Sequence, residues 1–290
     1  MISIIASDMD GTLLNEEMQI SSANADAIKK AQAAGVHFAV ATGREYREAK
    51  PLLEAYGLSV PLITLNGAAI FDVDGKALDM VPITKTATKL IMHQLEKAGL
   101  YYEITTNEGV VSNSRTRRIQ TVSRLLETVN PDTPFKLAVA MSSARVELMD
   151  IRYVEDYQVL LDDPKIKILK LVAFGENGQK ELKPVRESIN AKVEVAISSS
   201  FENNIEINSP RAQKGIAVQH FADGLNIPMS QVMTIGDNMN DASMLEVAGV
   251  SYAMGNAIPE IKQLANHLTV TNNEDGVAKA ILEQLAQNHQ

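Results

Sequence analysis

The sequence predicts an α/β protein in which a doubly wound parallel sheet is interrupted by an inserted α+β module. Three observations carry this reading. Short apolar runs alternate with helical patterns over roughly the first 65 residues, the middle of the chain loses that rhythm, and the rhythm returns after Pro210. With 290 residues, 45% of them hydrophobic, the chain is long enough for two domains with ample cores.

The first apolar run, Ile4, Ile5 and Ala6, empties into Asp8-Met9-Asp10-Gly11-Thr12-Leu13-Leu14. In a strand the two carboxylates would share a face, and Gly11 permits a sharp turn that lets both point into one pocket. A strand ending in a polar turn is the plain alternative, because Asp and Gly are common turn formers. Ser21 or Ser22 can cap a helix through Ala25, Ile28, Ala31 and Ala34, which Gly35 ends. A strand over 37–41 runs into Thr42-Gly43-Arg44, a helix follows over 45–56, and a third strand covers 62–65 before Asn66. Strand, helix, strand in this order calls for parallel pairing with right-handed crossovers, whose active crevice lies at the carboxyl ends of the strands. Asp8, Thr42 and Asn66 all fall there. His37, inside a strand run, is expected to be packed.

The middle of the chain opens with a hairpin, 69–73 and 77–81, around Asp74-Gly75. Helical periodicity covers 86–97 and 117–126, strand patterns cover 101–105, 166–174, 193–197 and 205–207, and the segment 133–152 has no assignable period. From Pro210 a helix carries Ile216, Val218, Phe221 and Leu225. A strand over 232–235 then enters the turn Gly236-Asp237-Asn238-Met239-Asn240-Asp241, followed by a helix over 242–248, a strand over 250–253 and helices over 259–265 and 276–285. The expected organisation is one discontinuous core domain, 1–83 with 209–290, and an inserted module, 84–208.

Composition narrows the function. A net charge of −9 and a pI near 5.1 exclude general nucleic-acid affinity. The absence of cysteine excludes thiol nucleophiles, disulfides and thiolate metal sites, so a metal would take oxygen or imidazole ligands. The five histidines have no metal-binding spacing. The first apolar run is too short for a membrane span and lacks a basic flank, so the cytoplasm is the expected location. Asp8, Asp10 and Asp237 offer oxygen ligands suited to a hard cation such as Mg²⁺, and the spacing of Asp241 from Asp237 brings it within reach. The amides after Asp8, the Thr42 hydroxyl and the Lys214 ammonium are suited to phosphate oxygens.

The ordered set D-M-D-G-T-L-L, T-G-R, N-G-A, Q-K-G, G-D-N-M-N-D, A-M-G-N-A and E-D-G-V-A spans the whole chain. It resembles the haloacid dehalogenase superfamily of phosphotransferases, in particular its Cof-like sugar-phosphatase branch with a large α/β cap. That resemblance implies a Rossmann-like core, with the inserted module as a cap governing substrate choice. It implies that Asp8 is the nucleophile that becomes an aspartyl phosphate and that Asp10 is the general acid/base. Thr42 and Lys214 complete the catalytic set. Phosphate binding is implied for Asp8, Met9, Gly11, Thr42, Gly43, Lys214 and Asn240, with Asn66 at the site edge. Mg²⁺ would be held by Asp8, the backbone carbonyl of Asp10, and Asp237, with Asp241 in support.

The expected activity is Mg²⁺-dependent hydrolysis of a small phosphorylated metabolite, a sugar phosphate above all, by a protein expected to be a monomer with a dimer left open. A phosphosugar mutase and a non-catalytic phosphosugar-binding regulator are the alternatives. Arg44 reads as a surface charge and Asp241, taken alone, as a helix cap. In the insert, Arg115, Arg117 and Arg118 form the densest basic cluster, and Tyr101 and Tyr102 the densest aromatic one. A solvated helix face and alternating strand burial compete with substrate binding for these two clusters.

Overall fold

A computed structural model describes residues 1–130, 132–199 and 202–288. The chain divides into two compact units, Met1–Val81 with Arg211–Gln290, and Pro82–Pro210.

The first unit begins with β1 (Ile4–Ser7), α1 (Ser22–Ala33), β2 (His37–Ala41), α2 (Tyr46–Glu54), β3 (Leu62–Thr64) and the hairpin β4 (Ala69–Phe71) and β5 (Ala77–Met80). Ser21 caps α1 by accepting from the Asn24 N–H at 3.1 Å. Gly35, at φ +82°, turns the chain back toward β2. His37, the first residue of β2, is exposed while the four residues after it are buried, and so it is not the packed residue that its strand pattern suggests.

The second unit contains α3 (Lys85–Lys97), β6 (Tyr101–Thr106), β7 (Gly109–Ser112), α4 (Arg115–Val129), α5 (Phe135–Leu148) and β8 (Ile151–Tyr153). It continues through α6 (Gln158–Asp162), β9 (Ile168–Phe174), α7 (Gln179–Asn190), β10 (Ala196–Ser198) and β11 (Asn204–Asn208). Its sheet has the order β10-β11-β9-β6-β7-β8 and is antiparallel except for β7 with β8. Ile91 and Leu95 of α3, Leu160 of α6, and Leu182 and Ile189 of α7 form one core with Tyr102, Ile104, Leu171, Ile205 and Ile207 of the sheet.

The alternate residues of these strands carry charge. Glu103 pairs with Arg118 of α4, and Lys170 pairs with Glu206 at 2.5 Å. Arg115 pairs with Glu147, while Arg117 donates to the Gly99 carbonyl at 2.9 Å and lies over the Tyr101 ring. The basic cluster legible in the sequence is therefore engaged inside this unit. The tyrosines separate as strand alternation requires: Tyr102 packs in the core, and the Tyr101 hydroxyl donates to Glu103 at 2.5 Å.

The chain re-enters the first unit with α8 (Lys214–Gly224), β12 (Val232–Gly236), α9 (Ala242–Val247), β13 (Val250–Ala253), α10 (Pro259–Leu264), β14 (His267–Leu268) and α11 (Gly276–Asn288). The sheet order is β14-β13-β12-β1-β2-β3-β4-β5, parallel from β14 to β3 and antiparallel through the terminal hairpin. Alternation along β1 and β2 serves both faces. Ile5, Phe38 and Val40 join α1, α2, α10 and α11, while Ile4, Ala6, Ala39 and Ala41 meet Val218 and Phe221 of α8. Burying each of the larger side chains contributes about 1.5–3 kcal/mol.

From β1 the chain proceeds to β2 and β3 on one side and returns to β12 on the other, so the crevice of a doubly wound sheet opens at the carboxyl end of β1. Among the described residues, no helix is long and apolar enough to cross a membrane.

Packing beside that crevice is tight where α8 meets α9. A Cβ on Gly215 would lie 2.2 Å from the Ser243 carbonyl oxygen, and the Gly215 N–H donates to Ser243 Oγ at 3.0 Å. Gly215→Ala is expected to destabilise the protein by about 1–3 kcal/mol, the usual cost of overpacking, read as a lower urea midpoint at an unchanged slope.

Candidate active site

Four strand ends converge at the carboxyl edge of this sheet. Asp8 follows β1 directly, and its N–H donates to the Ile235 carbonyl of β12 at 2.9 Å, so its backbone continues the ladder. The next residues turn sharply. Gly11 has φ +77°, and a Cβ there would stand 2.5 Å from Asp237 Oδ2, so this position excludes a side chain on both counts. Met9, Leu13 and Leu14 anchor the turn in the core.

Lys214 is the first residue of α8, and its ammonium is fully buried between two carboxylates, 2.6 Å from Asp8 Oδ1 and 2.6 Å from Asp241 Oδ1. Asp241 Oδ2 accepts from the N–H groups of Asp237 at 2.9 Å and Asn238 at 3.0 Å, so this residue caps the turn after β12 while also holding Lys214. The capping role is the one its sequence position suggests; the contact with Lys214 is not legible there. Thr12 Oγ1 donates to Asp237 Oδ1 at 3.0 Å and ties the β1 loop to the β12 loop.

Carboxylate oxygens of Asp8, Asp237 and Asp241 lie within 4.8 Å of one another. Three carboxylates against the one ammonium leave two negative charges uncompensated in a largely buried place. Burial, with repulsion from Asp241 behind it, pushes the Asp8 carboxyl well above the usual carboxylate range, and Lys214 opposes the shift. Asp237 is pushed up to about 6, by burial first and by Asp241 second, against the hydrogen bonds from Thr12 and Asp8. For Lys214, burial acts to lower the pKa, but Asp241 and Asp8 reverse it, and the group stays charged. An all-oxygen donor set with surplus negative charge fits a hard divalent cation.

Asp10 stands apart from this cluster. Its carboxylate, about half exposed, forms a two-pronged ion pair with Arg44, from Nε at 2.8 Å and Nη2 at 2.6 Å. That hydrogen bond, against partial burial, also raises the Arg44 pKa. The side chain of Asp10 is thus not among the clustered metal candidates; the metal contact expected of this residue is through its backbone carbonyl. Arg44, which reads as an ordinary surface charge in the sequence, is a partner of the second acid.

Thr42 is buried after β2, and its Oγ1 accepts from the Arg44 N–H at 3.1 Å. The Thr42 carbonyl accepts from the Asn66 N–H at 3.0 Å, and Asn66 Oδ1 accepts from Asn240 Nδ2 at 3.3 Å. Leu65 and Asn66 both have positive φ, +53° and +58°, a costly backbone state for leucine, held beside Thr42 by these contacts. Gly43 faces Asn66 so closely that a Cβ would meet its Oδ1 at 3.0 Å. Asn256, part of the A-M-G-N-A stretch, is a contact that sequence reasoning does not assign: its Nδ2 donates to the Gly11 carbonyl at 2.7 Å.

The structure therefore brings Asp8, Lys214, Asp237 and Asp241 into one cluster. Thr42, Gly43, Asn66 and Asn240 form a neighbouring chain of contacts, and Asp10 is held on Arg44 at the rim. The raised carboxyl of Asp237 has a stability consequence. Its folded pKa of about 6 exceeds the ordinary 3.8, so the folded state binds this proton more tightly than the unfolded chain does. The stabilisation is complete below the ordinary value and is lost as pH rises through about 6. In a chelator, urea stability is expected to fall across that window, and Asp237→Asn is expected to flatten the fall.

A family model of haloacid dehalogenase-like hydrolases matches residues 5–281. The chain is 32% identical over 279 residues to phosphatase YwpJ of Bacillus subtilis, covering 96% of this chain and 98% of that protein. It is also 32% identical over 283 residues to the 5-amino-6-(5-phospho-D-ribitylamino)uracil phosphatase YwtE of the same organism, covering 97% and 98%. Among solved structures, a haloacid dehalogenase-like hydrolase from B. subtilis superposes with a TM-score of 0.82 at 30% identity, covering 97% of this chain and 99% of that one.

Proposed function

The chain belongs to the haloacid dehalogenase-like hydrolase family and is a phosphatase, and we propose that it is a Mg²⁺-dependent hydrolase of small phosphorylated metabolites in the cytoplasm, with sugar and polyol phosphates as its substrate class. The observation that carries the reading is the buried Lys214 ammonium between Asp8 and Asp241, with Asp237 alongside, at the carboxyl end of β1. A polyhydroxylated phosphate ester is supported by the relative YwtE, named for a substrate that carries its phosphate on a ribityl chain.

In the proposed reaction Asp8 attacks phosphorus and the bond from phosphorus to the ester oxygen breaks. Asp10 supplies a proton to that departing oxygen, leaving a phosphoryl group on Asp8. Water then attacks the aspartyl phosphate, Asp10 takes its proton, and inorganic phosphate leaves. Charge spreads over the equatorial oxygens in both displacements. Lys214, the Thr42 hydroxyl, Asn240 and the amides of Met9, Gly11 and Gly43 are the groups assigned to them.

Asp8, Asp237 and the Asp10 carbonyl would hold Mg²⁺, with Asp241 in support. When bound, the ion would neutralise the surplus carboxylate charge and polarise a phosphoryl oxygen. Asp241, which already accepts from Lys214 and two backbone amides, contributes most by fixing Lys214.

Purified protein is expected to release phosphate from a panel of sugar and polyol phosphates with Mg²⁺ and to lose that activity in a chelator. Asp8→Asn is expected to lower kcat by about 10³-fold or more, as removal of a nucleophile does. Conversion of one phosphosugar to its isomer without free phosphate would overturn hydrolysis as the reaction.

A further inference from the structure

Arg44 has no role in the reaction just described, yet it makes the most directional side-chain contact at the rim of the site. A guanidinium fork on a carboxylate fixes both the position and the plane of that carboxylate, which a single-point contact does not. Here the fork closes on Asp10 through Nε at 2.8 Å and Nη2 at 2.6 Å. The side chain of Asp10 is 46% exposed, and no packing around a half-exposed carboxylate would select one rotamer by itself.

The backbone of Arg44 is fixed in turn. Its N–H donates to Thr42 Oγ1 at 3.1 Å, and its carbonyl accepts from the Leu65 N–H at 3.0 Å. Leu65 belongs to the left-handed pair held beside Thr42. The fork therefore connects the loop after β1, where Asp10 sits, to the loop after β2, where Thr42 sits, over a separation of 34 residues.

We infer that Arg44 is the positioning residue of Asp10: it sets the direction in which that carboxyl group presents itself for proton transfer, referenced to the loop that carries Thr42. The inference rests on the reading of Asp10 as the acid/base. A proton donor aimed at the departing oxygen matters in proportion to how poorly that oxygen leaves. An aryl phosphate departs without help, whereas an alkyl phosphate such as a sugar phosphate needs the proton. Misdirecting Asp10 must therefore penalise alkyl esters selectively, whereas loss of phosphate affinity or of fold would penalise both ester classes alike.

The test measures kcat/KM, which reports the first displacement, for an alkyl and an aryl phosphate in wild type, Arg44→Met, Arg44→Lys and Asp10→Asn, each with Mg²⁺. Arg44→Met is expected to lose about 10- to 100-fold on the alkyl ester and less than about 3-fold on the aryl ester, a fraction of the range of general acid catalysis. Arg44→Lys, which keeps the charge without the fork, is expected to fall between Arg44→Met and wild type on the alkyl ester. Asp10→Asn is expected to show the same selectivity in stronger form. Equal losses on both esters in Arg44→Met, or none, alongside a selective Asp10→Asn, would overturn the role of Arg44 alone. A non-selective Asp10→Asn would overturn the reading of Asp10 beneath it.

Discussion

The structure of the first unit depends on one charge, the Lys214 ammonium with no solvent exposure, shared at 2.6 Å by Asp8 and Asp241. Desolvating an ammonium costs several kcal/mol, and only close, well-directed partners offset that cost. Those partners come from distant parts of the chain: Asp8 lies 206 residues before Lys214, and Asp241 lies 27 after it. The interaction can form only when β1 and β12 are paired and α8 is seated, so the sheet must be assembled from both ends of the sequence before the lysine is satisfied. The Gly215 contact with Ser243 serves the same end, because it lets α8 approach α9 closely enough for Lys214 to reach.

That shared ammonium also separates two acids that the sequence places two positions apart. Asp8 is drawn into a buried cluster with surplus negative charge, where burial and Asp241 raise its proton affinity in the absence of a cation. Asp10, beyond the last hydrogen bond of the strand ladder, is held by a guanidinium at the partly exposed rim. Different surroundings for neighbouring carboxylates are the usual physical basis for different roles in one reaction. The turn at Gly11 makes the divergence possible, since a residue with a Cβ would collide there with Asp237.

Much of this was legible in the sequence, for identifiable reasons. β2 and β13 coincide with their predicted spans because their apolar runs are bounded by Gly, Thr or Asn turns. Asp8 and Asp237 could be named because strand ends in a parallel sheet converge, whatever lies between them in sequence, whereas Lys214, at the start of a helix, stands out only as part of the ordered motif set. The insert was harder. α5 covers most of the segment with no assignable period, since its apolar residues are spread around the helix and form no stripe. α7 carries Pro184 in its interior, which argues against a helix, although Leu182, Val185 and Ile189 form an apolar stripe at helical spacing that the sequence does display. β14 has two residues, too few for any period to register. The pairing of Arg44 with Asp10 leaves no local trace, because it is set by which strand neighbours β1.

The two ion pairs at the site differ in what they can do, and burial decides the difference. The Lys214 pair is desolvated, so removing either partner leaves an uncompensated charge in the interior, and the interaction governs both stability and charge balance. The Arg44 pair, with 26% and 46% of its side chains exposed, belongs to a class that contributes only about 0–1 kcal/mol to folding. Stability alone therefore gives little reason for a guanidinium at that position, and a lysine or a neutral residue would fold about as well. What the fork adds over a point charge is direction, and direction is what a proton-transferring carboxyl needs when the solvent around it imposes none.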